Sequence, residues 1–146
     1  MKRNLRNGLF AGILMLGFCI AGAGNAAEPP IKVVYDVSEG LPQASRALAN
    51  IRNELAAEPN TKVVVVTNGE GIKFLLEGAT DSNGRPYEPI VAALASQGVD
   101  FRVCNNTLNA YNVPTTKVII EAKVVPSGVA EVAHLQARDG YAYIHP

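Results

Sequence analysis

At 146 residues the chain is about one domain long. Its 48% hydrophobic and 18% charged residues make a globular composition, which excludes collagen-like and disordered classes. The formal net charge of zero hides an asymmetry: Lys2, Arg3 and Arg6 lie in the first 27 residues with no acid beside them, so residues 28–146 hold ten basic groups against thirteen acidic ones. That net acidic part lacks the basic footprint behind most non-specific nucleic-acid affinity, which removes nucleic acid as a main partner.

Residues 1–27 read as an export signal. The three basic residues precede an uncharged apolar run over 8–24, and small residues then lead to Asn25-Ala26-Ala27 and the polar Glu28-Pro29-Pro30. A membrane anchor is the competing reading, but 17 residues rich in Gly and Ala stand at the short limit for crossing about 30 Å of hydrocarbon. Cleavage after Ala26 or Ala27 is expected to free a chain that begins at Ala27 or Glu28 and carries the domain of residues 28–146 into the periplasm or the medium, with no stable membrane anchor. Phe18 before Cys19 is too bulky for a lipidation site. Loss of the leader leaves Cys104 alone, so neither an internal disulfide nor a CxxC pair is available.

The mature chain alternates strand and helix signals. Residues 31–37 are β-branched and stop before Gly40, a strand. Over 42–57, Ala44, Ala47, Leu48, Ile51 and Leu55 recur at helical spacing, and Pro59-Asn60 ends the helix. Residues 62–67 form an apolar run without alternation, the mark of a strand covered on both faces. Asn68-Gly69-Glu70-Gly71 then turns the chain into a short helix bearing Ile72, Phe74, Leu75 and Leu76. After a polar loop over 81–86, a helix is predicted over 87–97 and a third strand over 99–104. Asn105-Asn106-Thr107 caps a short helix over 108–111; the three residues also match the N-glycosylation pattern, for which capping is the better account. Residues 118–120 and 124–125 are strand-like and read as one strand or two. Ser127 caps a helix to about Arg138, and 141–144 form a last strand. The expectation is one α/β domain of about five mainly parallel strands with helices on both faces, a flavodoxin-like layering.

In such sheets sites form at the carboxyl ends of strands, here the segments 36–40, 68–71 and 104–107. Cys104 ends a strand and meets the first turn of a helix, whose free N–H groups favour an anion and should lower a thiol pKa. The competing reading is a small buried hydrophobe, as free cysteine often is. Alternation is taken to place Arg102 on the face opposite Cys104, with Asp100 beside it, so the expected drop is modest, about one unit. Asn68-Gly69-Glu70-Gly71 has neither GxGxxG nor a Lys-Ser/Thr ending, and Glu70 would repel phosphate, so it reads as a glycine turn that could border the thiol. His134 and His145 lack metal-ligand spacing to Cys104. Neither a metal nor a cofactor is expected.

The run from Gly98 to Leu108, with Val99-Asp100-Phe101-Arg102-Val103-Cys104-Asn105-Asn106-Thr107 between them, resembles the cysteine segment of the DsrE/DsrF-like family. The segments 124–131 and 140–144 resemble one branch of it, and the likeness runs from about Ile31 to the end. The resemblance implies a mainly parallel α/β sheet, assembly as a homotrimer or homohexamer, and a sulfurtransferase-type role in a sulfur relay, with sulfane sulfur carried as a persulfide. The matching cysteine is Cys104, with Asn105 and Thr107 fitting the pattern. Asn68 and Gly69 are further candidate binding residues apart from the resemblance, because neighbouring strand ends can converge on the thiol. The sulfur donor and acceptor are unnamed by the sequence, and relays of this kind are cytoplasmic, unlike an exported chain. This chain has Tyr111-Asn112 where the branch has Arg-Gly. The alternative is a non-catalytic ligand-binding or structural module of the same fold with an unreactive thiol.

Overall fold

The computed structural model describes residues 29–146, so the expected leader lies outside the described residues. Five strands, β1 (Lys32–Val37), β2 (Lys62–Thr67), β3 (Asp100–Cys104), β4 (Ala122–Val125) and β5 (Ala142–Ile144), form one sheet in the order β4-β3-β2-β1-β5. Every pairing is parallel. The helices are α1 (Leu41–Ala57), α2 (Glu88–Ser96), α3 (Asn105–Ala110) and α4 (Gly128–Ala137), with 3₁₀ segments at Gly69–Leu75 and Thr115–Lys117. The expected fold class is the one observed.

The two faces of the sheet are covered unequally, and the strand order says why. From β1 to β4 the chain moves steadily across the sheet, and right-handed crossovers put the intervening helices on one face. There Tyr35, Val65, Phe101 and Val103 pack with Ile51, Phe74, Leu94 and Leu108 in the main core. From β4 the chain returns across the whole sheet to β5, which sends α4 to the other face. That face has a smaller core, Val34, Val64 and Val66 under Val132 and Leu135. The runs 33–35 and 63–66 are apolar without a break because both their faces are covered.

Capping and turn chemistry follow the sequence closely at some ends. Gly40, with φ 103°, opens α1, and Pro42 sits in its first turn. Buried Gln43 then accepts the backbone N–H groups of Ser38 and Glu39 at 2.7 and 2.8 Å, satisfying donors that the β1–α1 turn would leave unpaired. Ser127 caps α4 by accepting the Ala130 N–H at 3.4 Å. Residues 118–120 are not a strand: Val118 bridges to Leu76, Ile119 donates its N–H to Leu75 and is buried, and Ile120 points outward, 95% exposed. The edge strand comes after them, as β4. Among the described residues no helix is long and apolar enough to cross a membrane.

Candidate functional site

Cys104 ends β3 and is itself the N-cap of α3. The helix therefore starts at Asn105, three residues earlier than the Asn105-Asn106-Thr107 capping cluster suggests. The cysteine takes the extended cap conformation, φ −68° and ψ 114°, and the three polar residues become the first turn. Its register partner on β4 is Val125, and α4 begins three residues on, at Gly128. Here β3 exits to α3 on one face and β4 exits to α4 on the other. This divergence is the topological switch point of the sheet, the crevice in which open α/β folds place their ligands.

Two helix N-termini thus meet at one sulfur. The thiol closes no strict capping hydrogen bond on α3; it is a diffuse acceptor, approached by several oriented donors. Burial alone would push its pKa up. The Gly128 N–H, the Thr107 hydroxyl, then the N–H groups of Thr107 and Asn106 act the other way and together hold it below the usual thiol value. Gly128 permits this approach because it has no side chain: an added Cβ would stand 3.2 Å from the Cβ atoms of Cys104 and Asn68 and from the Thr67 carbonyl oxygen. The Thr107 Oγ1 also accepts the Gly69 N–H at 3.1 Å, which brings the β2 exit loop into the same site.

The candidate residues are distributed unevenly around the sulfur. Thr107 faces it, and Gly69 acts on it through Thr107. Asn68 lies next to it on the sheet, yet its side chain donates to Asp36 at 3.0 Å, and Asp36 also accepts the Tyr143 hydroxyl at 3.0 Å. Asn105 occupies the first turn of α3, partly buried, while its neighbour Asn106 supplies the N–H toward the thiol. Gly128 and Asn106 were not singled out from sequence. The signal for Gly128 was the Ser127 cap directly after a strand, which places a helix N-terminus at the same end of the sheet as Cys104. Among the described residues no group of three His, Cys, Asp or Glu side chains is placed to hold a metal.

Arg102 corrects the expectation for its face. Residues two apart on a strand are in phase, so Arg102 shares the α4 face with Cys104. It is turned away from the sulfur by its partners, Asp100 at 2.7 Å and Glu131 of α4. Its charge is spent on that half-buried network, and the downward shift at Cys104 comes from dipoles and a hydroxyl without any charge–charge contribution. Tyr111 and Asn112, the departure from the family branch, follow α3. Asn112 adopts φ 53°, a left-handed conformation natural to the Gly expected there and most tolerable for Asn among other residues. The Tyr111 hydroxyl stands beside Glu70, which also pairs with Lys73.

The comparisons with known proteins agree with this architecture. A protein of unknown function from Methanobacterium thermoautotrophicum, MTH1491, superposes with a TM-score of 0.70 at 28% identity, over 80% of this chain and 99% of that one. The ychN protein from E. coli shares the fold with a TM-score of 0.61 at 14% identity, over 80% of this chain and 100% of that one. No curated protein matches the chain. The family model of the DsrE/DsrF-like family matches residues 32–146, from the first strand to the last residue. By that match the chain belongs to the DsrE/DsrF-like family.

Proposed function

We propose that the protein is an exported sulfur carrier of sulfurtransferase type that holds sulfane sulfur as a persulfide on Cys104. The observation that carries this reading is the convergence of the α3 and α4 N-termini and the Thr107 hydroxyl on one thiol at the switch point of the sheet. Such a site favours a thiolate, and a persulfide, the more acidic group, is favoured there as an anion too. In the loading step the Cys104 thiolate attacks a sulfane sulfur of a polysulfide. A new S–S bond forms as the donor's S–S bond breaks, and the shortened polysulfide leaves as an anion. In unloading, an acceptor thiolate attacks the outer sulfur, the persulfide bond breaks, and the Cys104 thiolate returns. Sulfane sulfur is passed on without an external oxidant or reductant.

The basic-apolar-small order of residues 1–27 supports work in the periplasm or outside the cell, and the family supports a homotrimer or homohexamer. The second reading, an unreactive thiol in a ligand-binding or structural module, is favoured by one observation: Cys104 is only 4% exposed. Intact-mass measurement after treatment with polysulfide separates the two. The carrier gains mass in single-sulfur steps that a reductant removes, and Cys104→Ser gains none. A wild type that gains no sulfur, or a Cys104→Ser variant that gains as much, contradicts the carrier.

A further inference from the structure

The Thr107 hydroxyl has one hydrogen to give and two lone pairs to receive with. The Gly69 backbone N–H occupies the receiving side at 3.1 Å. Thr107 is the third residue of α3 and Cys104 its N-cap, three residues apart and so neighbours on one side of the first turn, with the Thr107 hydroxyl directed to the Cys104 sulfur. Gly69 holds φ 51°, a left-handed conformation, and a Cβ on it would stand 3.1 Å from the Ser38 carbonyl oxygen, so a residue with a side chain does not readily present its N–H in this way. We infer that Thr107 is a positioning residue for the reacting sulfur: the Gly69 N–H fixes the acceptor side of its hydroxyl and leaves the hydrogen for Cys104. This rests on the reading of Cys104 as the reacting sulfur, and it names what orients that sulfur.

No nearby charge competes for the role. Asp100 and Arg102 on β3 pair with each other, Lys123 on β4 pairs with Asp100, and Glu131 on α4 pairs with Arg102. Asp36 on β1 is held by Asn68 and Tyr143, and Glu70 and Lys73 on the 3₁₀ segment pair with each other. The remaining donors toward the sulfur are backbone N–H groups, which side-chain substitution at position 107 leaves in place.

The test is the pH midpoint of Cys104 alkylation in the folded protein, measured for wild type, Thr107→Val, Thr107→Ala and Thr107→Ser, each with its denaturation curve. Val keeps the shape and Ala frees space, and both remove the hydroxyl; a lost hydrogen bond to a charged group should raise the midpoint by about one pH unit. Ser restores the hydroxyl and should return the midpoint to the wild-type value. A purely structural Thr107 would shift the denaturation curves and leave the alkylation midpoint alone, and that result overturns the inference. So does a Ser variant that shifts as far as Val. Sulfur loading of the wild type is read separately: its failure overturns the carrier function, while the midpoint comparison still decides the role of Thr107.

Discussion

A buried cysteine at a strand end ordinarily has its pKa raised by burial. At Cys104 the sign is reversed, because each donor around the sulfur is aimed by the backbone and pays little further entropy to point there. The reversal has a consequence for stability. A folded pKa below the unfolded one means that the thiolate favours the native state. That contribution is fully present above the unfolded thiol value of about 8.5 and is lost as the pH falls through the folded value. Urea denaturation under reducing conditions should therefore show wild type gaining stability over Cys104→Ser as the pH rises through the folded midpoint to above about 8.5. A difference independent of pH would contradict the shift. Because Cys104 is buried, its alkylation is expected to be slowed at every pH alike, so the midpoint rather than the rate reports the thiolate.

At the scale of elements, close approaches between backbones set the site. Gly71, in the first turn of the 3₁₀ segment Gly69–Leu75, lets the chain after β2 lie against the end of β1, and a Cβ there would run into the Val37 carbonyl. Gly71→Ala is expected to destabilise the fold by about 3 kcal/mol, read as a lower denaturation midpoint, because the atom it meets is backbone that cannot rotate aside. An Ala variant as stable as wild type would show that the approach can relax. The same distinction explains what was legible beforehand. The uninterrupted valines of β2, the helical spacing in α1 and the Ser127 cap are local patterns, and each element formed where its pattern lies. The residues 118–120 carry a strand's composition, but Ile119 is needed as a plug beneath the core and Ile120 faces outward. The face of Arg102 was written in the period-two alternation, which the expectation counted one residue out. The Ser127 cap marks the start of α4, but the meeting of Gly128 with the sulfur is beyond local pattern: it follows from the neighbouring pairing of β3 and β4 and from the return of α4 across the sheet, both long-range facts of the topology.

At the scale of the whole molecule, the unequal layering leaves the α4 face thin. Among the described residues one helix lies there, packed on β1, β2 and β3; Val129 on α4 is 72% exposed and Tyr143 on β5 is 44% exposed on the same side. We propose that a second copy covers these exposed apolar groups, the assembly that the family resemblance implies. Export, assembly and sulfur carriage meet in native mass spectrometry of the full-length protein expressed with its leader, recovered from outside the cytoplasm and treated with polysulfide. The account predicts a trimer or hexamer of chains beginning near Ala27 or Glu28, with sulfur added on every subunit of wild type and on none of Cys104→Ser. An assembled wild type with no sulfur added would contradict it.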